Sequence, residues 1–429
     1  MEKFDVVVVG AGPAGCAAAR TLAQKGFSVL LVERGNKAGQ KAVFGGRIYA
    51  YPLDRWYPGW RNDCPVERFV TRESIVFTSG ERAVTIEYES AKAADGPEAS
   101  FTAFRAEFDE WLAAKAEEVK VTLITGIRVD DLWREDGRVR GVIAAGDKVA
   151  ADVVVLAEGA VSTLVQRAGL RSALTPAEES VGVKETIELP AGIVEERFAV
   201  DERSGAAFIF AGSVSGGCRG GGFLYTNKTT LSLGLVVSSE DLGRRHVQVA
   251  DLLEAFKRSP AVAKWIRGGK TVEYSAHLVP ELGARMVPKL YGDGVLVAGD
   301  AGAFLINNGY TFRGVDLAME SGVAAAETIE RAHKAGGYSA ANLAGYEDRL
   351  REHHVLTDLE TFARAPDYLK NPRLFTLYPE LICALAARVY QVDGGGKSRL
   401  LDLALEEARR RKIPLLRTLR DILGGARAM

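Results

Sequence analysis

The chain has 429 residues, more than one hydrophobic core usually organises, so two or more domains are expected. With 47% hydrophobic and 26% charged residues it has the texture of a soluble globular protein, and a formal net charge of −1 supplies no general pull toward nucleic acid. No apolar run approaches the roughly 18 residues of a spanning helix, and the start, MEKFDVVVVGAG, carries no basic n-region or cleavage site. The expectation is a cytoplasmic protein that at most lies on a membrane.

Asp5 to Val9 is a continuous β-branched run, the pattern of a parallel strand covered on both faces. It feeds Gly10-x-Gly12-x-x-Gly15, with Ala14 inside the motif, and an Ala-rich helix follows that Gly26 ends. A second strand, FSVLLVE, ends in Glu33, with Arg34 next. Strand, glycine turn, helix and acid in this order form a dinucleotide-binding fingerprint. The first glycine permits the tight turn, the second admits a pyrophosphate to the backbone, and the third lets helix and strand pack closely. The helix start offers unpaired N–H groups to the phosphates. Glu33 suits the adenosine ribose hydroxyls and disfavours a 2′-phosphate, so NADP is not expected there. At this point NAD and FAD both remain open.

Further along, FTAFRAEFDEWLAAKAEE reads as an amphipathic helix, whose Arg105 either reaches a pyrophosphate or is a surface arginine. A strand and a hairpin through Asp136-Gly137 follow, with Val129 placed to offer backbone beside an adenine. ADVVVLAEGAVSTLVQRAG is a buried strand leading into Ala157-Glu158-Gly159. Between Ser180 and Met286, strand-like segments alternate with Gly-rich turns and one helix, QVADLLEAFKRSPAVAKWI. This predicts an antiparallel sheet laid over a ligand.

DGVLVAGD then supplies a short strand ending in Gly299-Asp300, and a helix with small residues on one face starts after Gly314. In FAD proteins of the glutathione-reductase-like type such an Asp accepts a hydrogen bond from a ribityl hydroxyl. The following helix turns its N-terminus to the flavin's pyrimidine edge. The expectation becomes non-covalent FAD, held by Gly10, Gly12, Ala14, Gly15, Glu33, Arg34, Arg105, Val129, Ala157, Gly159, Gly299, Asp300 and Gly314.

The expected fold is therefore α/β. A glutathione-reductase-like (Rossmann-type) FAD-binding domain occupies 1–175, with 80–100 an excursion, and returns at 286–340. An antiparallel-sheet substrate domain fills 176–285, and 341–429 is a helical C-terminal region. That region ends in RRRKIPLLRTLRDIL, where Leu415, Leu416, Leu419 and Leu423 fall at near-helical spacing beside arginines. Such a segment either lies in a lipid headgroup region or packs on the protein or a partner. The adjacent His353 and His354 read as surface residues, and no metal-ligand spacing or acid–base dyad is found.

The stretches KAVFGGRIYAYPLDRWYPGW, CPVERFVTRESIVF, GGGFLYTNKTTLSLGLV, VLVAGDAGAFLINNGYTFRGVDLAMESG and APDYLKNPRLFTLYPEL closely resemble the electron-transfer flavoprotein:quinone oxidoreductases, particularly FixC-type flavoproteins. The resemblance covers essentially the whole chain. It implies an FAD-dependent enzyme that takes electrons from a reduced two-subunit electron-transfer flavoprotein and delivers them to membrane quinone. It also implies that Gly45 and Gly46 approach the flavin, and that Gly221, Gly222, Phe223 and Tyr225 border the quinone; Phe223 and Tyr225 read equally well as sheet core.

Single-chain members carry a C-terminal [4Fe-4S] cluster. Here Cys383 is the only cysteine after Cys218; Cys16 and Cys64 are the others, and no C-x-x-C pair occurs. FixC-type systems are similar in this respect and use a separate subunit, so the resemblance implies a ferredoxin-like iron–sulfur partner, possibly in an electron-bifurcating complex. A prenyl-lipid reductase or flavin hydroxylase on the same scaffold, or an assembly subunit with a structural flavin, stand as alternatives.

Overall fold

The β-branched run near the N-terminus becomes the centre of a sheet. In the computed structural model, which describes residues 3–40, 46–96, 99–281 and 283–429, strand Lys3–Val9 pairs in parallel with Val29–Val32 on one side and Asp147–Leu156 on the other. Val6, Val7 and Val8 are fully buried, as a strand covered on both faces requires. Thr122–Ile124 extends the parallel set beyond Val29–Val32, and Val295–Val297 extends it beyond Asp147–Leu156. The hairpin Val129–Glu135/Arg138–Ala144 joins this eight-stranded sheet along Asp147–Leu156. Its turn is Asp136-Gly137, both at positive φ (50° and 78°), the backbone that a two-residue hairpin needs.

Helices Pro13–Gln24 and Val315–Lys334 lie against each other over the parallel sheet. The small face expected after Gly314 is used at their crossing: a Cβ on Gly322 would overlap the carbonyl oxygen of Ala14 and come to 3.0 Å from the Ala18 nitrogen. Any larger residue would wedge the two backbones apart.

The second sheet has nine strands and is not the antiparallel insert that the 180–286 pattern suggests. Lys270–Pro280, Glu179–Glu188, Thr230–Ser238, Gly220–Thr226 and Ser204–Gly212 do run antiparallel in that spatial order. Ser204–Gly212 then pairs in parallel with Arg68–Ser79, from much earlier in the chain. Arg82–Glu89, Ser100–Thr102 and Arg47–Tyr49 complete the sheet. The reason lies in packing: Val76 of Arg68–Ser79 fills the same apolar cluster as Phe208 and Phe210. Arg68, 1% exposed, pins the seam, its Nε donating to the Asn227 carbonyl at 2.9 Å and another nitrogen reaching Glu195 at 3.1 Å.

The single helix expected in this region is several. Ala191–Phe198 and Ser239–Arg245 are additional, and QVADLLEAFKRSPAVAKWI divides into Val249–Arg258 and Pro260–Ile266. Pro260 opens the second piece, where its missing N–H costs no helical bond.

The C-terminal region is helical through Leu377–Tyr390, Leu400–Arg410 and Leu415–Ala428. The last helix is inverted for a protein surface. Asp421 faces inward, where Arg373 holds it through two 2.7 Å hydrogen bonds and Tyr378 through a third, and Gly424 and Gly425 lie under the ring of Tyr368. Its apolar side chains Leu416, Leu419, Ile422 and Leu423 are exposed. Among the described residues no helix is long and apolar enough to cross a membrane.

The two adjacent histidines part company. His354 is exposed as expected, but His353 is buried between two acids, its Nδ1 2.6 Å from Glu320 and its Nε2 3.1 Å from Glu327. The helix break at the left-handed His354 turns His353 inward, a conformation that sequence spacing does not reveal. Burial alone would lower the His353 pKa, but the hydrogen bonds and charges of Glu320 and Glu327 outweigh it and raise it from 6.5 to about 9. A folded pKa above the unfolded one adds stability that is complete below pH 6.5 and lost as pH rises through about 9. Chemical denaturation of wild type and His353→Asn across this range should show the wild-type advantage shrinking from pH 6 toward pH 9.5. A constant or widening gap would contradict the protonated clamp.

Candidate active site

A cavity of about 640 Å³ opens between the parallel sheet and the nine-stranded sheet. On one side it receives the carboxyl ends of the parallel strands, the usual position for ligands in such sheets. Gly10, Gly12, Ala14, Glu33, Arg34, Gly46, Arg105, Val129, Ala157, Gly159, Gly299, Asp300 and Gly314 all line it. Gly221, Gly222, Phe223 and Tyr225 line it from the second sheet. Gly15 stands just behind, and Gly45 lies outside the described residues.

Each glycine of the fingerprint meets a distinct demand. Gly10 has φ +104°, and a Cβ there would run into the Ala157 carbonyl oxygen. A Cβ on Gly15 would overlap the carbonyl oxygen of Gly10, so helix and turn touch backbone to backbone. Gly12 is the opposite case: no atom lies within 4 Å of where its Cβ would be, and the open space belongs to the cavity. Helix Pro13–Gln24 has no side-chain cap. Its first-turn N–H groups are thus left for a ligand's phosphates.

Glu33 is fixed by two backbone donors, Ala11 N–H at 3.0 Å and Gly35 N–H at 2.7 Å, one on each oxygen. A carboxylate has roughly four acceptor sites, so capacity for ribose hydroxyls remains. Asp300 sits in the turn Gly299–Gly302 at the end of Val295–Val297. Burial raises its carboxyl pKa, with Arg105 opposing and Asp109 adding to the rise. Among the described residues no donor bonds its side chain, so its oxygens keep their capacity to accept a hydrogen bond at the cavity. Arg105 is half-buried rather than a free surface residue and is clamped by Asp109 through two 2.8 Å hydrogen bonds. The Gly12 opening, the uncapped helix and the orphan Asp300 together fit a flavin dinucleotide.

Phe223 and Tyr225 lie at the cavity surface rather than deep in the sheet core. Their rings stack at 5.2 Å, and the Phe223 ring covers Gly234 while the Tyr225 ring covers Gly46. Burial pushes the Tyr225 hydroxyl up to about 12, with Arg47 opposing. It is therefore a neutral group at physiological pH.

Sequence reasoning passed over several lining residues. His277 enters from the edge strand Lys270–Pro280, and burial, with the charges of Arg34 and Arg105, lowers its pKa. Pro366, Leu369, Lys370 and Phe375 enter from the C-terminal region. These four fall in APDYLKNPRLFTLYPEL, a stretch quoted for its resemblance and not read as part of the site. Nothing in its periodicity signals that contact. Among the described residues no group of histidine, cysteine and acids could hold a metal ion.

Fold and cavity define an FAD-dependent oxidoreductase, and the comparisons with known proteins agree. The FAD dependent oxidoreductase family matches residues 5–209, and the ETF-QO/FixC family C-terminal domain matches residues 365–429. The protein FixC of Salmonella typhi is 44% identical over 424 residues, covering 99% of this chain and 98% of that protein. A probable electron transfer flavoprotein-quinone oxidoreductase of Escherichia coli, YdiS, is 42% identical over 428 residues, covering 100% and 99%. The chain belongs to the ETF-QO/FixC family. Its fold is similar to that of a geranylgeranyl bacteriochlorophyll reductase-like protein from Thermoplasma acidophilum, with a TM-score of 0.72, 22% identity and coverage of 98% and 99%.

The two kinds of glycine separate experimentally. Gly12→Val fills open space, so the protein should fold with unchanged far-UV circular dichroism yet lose at least about nine-tenths of its flavin absorbance. Gly15→Val drives a side chain into backbone and should yield insoluble chain. Full flavin content in Gly12→Val would remove the dinucleotide from this cavity.

Proposed function

We propose that this protein takes electrons from a reduced two-subunit electron-transfer flavoprotein and passes them to membrane quinone through non-covalent FAD. The observation that carries the reading is one cavity lined both by the dinucleotide motif and by Gly221, Gly222, Phe223 and Tyr225. In this reading the parallel sheet is the core of a glutathione-reductase-like FAD-binding domain drawn from 1–175 and 286–340, apart from Arg47–Tyr49, Arg68–Ser79, Arg82–Glu89 and Ser100–Thr102, which join the second sheet, and most of 176–285 is a quinone-facing domain. A ferredoxin-like iron–sulfur subunit accompanies it, because this chain has too few clustered cysteines for a [4Fe-4S] centre of its own.

FAD, when bound, supplies the capacity to accept an electron pair and release electrons singly. The residues of the chain hold and orient it. The uncapped helix start after Gly12 faces the pyrophosphate, assisted by Arg105, and Glu33 accepts from the adenosine ribose. Val129 and Arg34 border the adenine end, and Ala157 and Gly159 line the same nucleotide pocket. Asp300 accepts from a ribityl hydroxyl. Helix Val315–Lys334, opening at Gly314, turns its N-terminus toward the ring's pyrimidine edge, where Arg313 neutralises Asp316 at 2.7 Å. Gly46 gives the ring a bare wall, with Tyr225 behind it. No acid–base dyad is required, since electron transfer needs a held cofactor and short distances.

The outward apolar face of Leu415–Ala428, flanked by Arg417 and Arg420, supports peripheral attachment to the inner face of the cytoplasmic membrane. Leu419→Glu with Leu423→Glu should reduce sedimentation with anionic liposomes by about tenfold and leave flavin content unchanged. Unchanged sedimentation would assign that face to a protein partner.

The functional test is anaerobic. Electron-transfer flavoprotein reduced by its own dehydrogenase should reduce decylubiquinone only when the flavin-loaded chain and its iron–sulfur partner are present. Reduction of a prenyl-lipid double bond with no quinone reduction would replace this reading with a prenyl reductase on the same scaffold.

A further inference from the structure

The second sheet turns one face to the flavin-sized cavity, and its register shows what that face carries. Gly221 stands opposite Val236, Val236 opposite Gly182, and Gly182 opposite His277. The four form one row across the sheet, and three strand spacings put His277 about 14 Å from Gly221. Side chains alternate along a strand, so Ser180, Lys184 and Val279 share the face of His277, and they too line the cavity. Val183 and Ile187 turn the other way, into the apolar cluster around Phe208 and Phe210.

At its end of the row His277 is unengaged. Lys184 is tied to Glu273 at 3.5 Å, and Arg219, another donor lining the cavity, is tied to Asp241 at 3.2 Å. Among the described residues the His277 ring has no hydrogen-bond or ion-pair partner. Gly182 across the strand pair offers it no side chain. The ring is half-buried, so it is neither solvated like a surface histidine nor satisfied like a core one.

The charges that reach His277 come from the nucleotide side. Burial lowers its pKa, and the guanidinium groups of Arg34 and Arg105 lower it further. Arg34 follows Glu33 at the end of a parallel strand, and Arg105 opens helix Arg105–Glu117, which packs on Pro13–Gln24. The uncapped start of Pro13–Gln24 meets the same cavity. Donors and positive charge therefore face one end of the cavity from both sheets, a setting that an anion completes.

We propose that His277 is a further FAD-binding residue, donating its ring N–H to the pyrophosphate from the second sheet, across from the helix start after Gly12. This rests on the dinucleotide reading of the cavity and adds a contact that no part of the fingerprint supplies. A neutral imidazole already carries one N–H donor, so no change of protonation is required. The contact also gives the edge strand Lys270–Pro280 a role: it closes the phosphate site, and the dinucleotide is gripped by both sheets.

The test uses the flavin-loaded full chain with two readouts: the rate of FAD release on dilution, followed by flavin fluorescence, and the phosphorus NMR resonances of the bound pyrophosphate. His277→Phe keeps a ring and loses the donor. It should speed release by at least about tenfold, as loss of one hydrogen bond to a charged group predicts, and shift a pyrophosphate resonance. The visible flavin spectrum should not change, since the contact is remote from the ring. His277→Gln, which restores an N–H, should hold release within about threefold of wild type. Where His277→Phe loads too little flavin, His277→Ala removes the donor without adding bulk and carries the same expectations. Unchanged release and resonances overturn the proposal. Fast release that His277→Gln shares does so as well, because it marks lost packing alone. Wild type that holds FAD while every variant matches it removes His277 and leaves the dinucleotide reading standing; wild type that holds no FAD defeats that reading itself.

Discussion

The close approach of bare backbones around Ala14 is the constraint on which the rest depends. The carbonyl of Gly10 touches Gly15 from below, Gly322 of the distant helix presses on the Ala14 carbonyl, and a Cβ on Gly299 would lie 2.8 Å from the Ala14 Cβ. Segments far apart in sequence therefore meet at one small residue, and none tolerates a side chain there. This junction brings Asp300 and the start of Val315–Lys334 to the same cavity as the fingerprint turn. Interactions elsewhere in the FAD side of the protein, such as the His353 clamp on Glu320 and Glu327, hold Val315–Lys334 in position from its outer face.

The second sheet solves a different problem. An electron carrier must shield its flavin from water yet leave an approach for an apolar acceptor. Crossing the parallel junction between Ser204–Gly212 and Arg68–Ser79, the sheet spans from the cavity roof to an exposed edge. Its glycine-rich strand Gly220–Thr226 presents Phe223 and Tyr225 to the cavity, with the bulk of each ring accommodated by a glycine opposite, Gly234 and Gly46.

Local signals made much of this legible in the amino-acid sequence. The β-branched run before Gly10, the glycine spacing, Glu33 and the Gly299-Asp300 pair each announce a backbone demand, and all converge on one cavity. The Asp136-Gly137 turn is equally local. What escaped was non-local. Arg68–Ser79 reads as a strand, but nothing in it says that its partner is Ser204–Gly212 or that the pairing is parallel. His353 looks like a surface residue until the left-handed turn at His354 rotates it between two acids. His277 and the C-terminal Leu369 and Lys370 reach the cavity only because separate elements fold over it.

The central claim is a dissociable flavin dinucleotide in this cavity, and acid precipitation of the purified chain measures it most directly. Chromatography of the supernatant should yield close to one FAD per chain, leaving a colourless pellet. A pellet that stays yellow, a supernatant containing FMN, or a chain that takes up no flavin beside its partners would contradict the account.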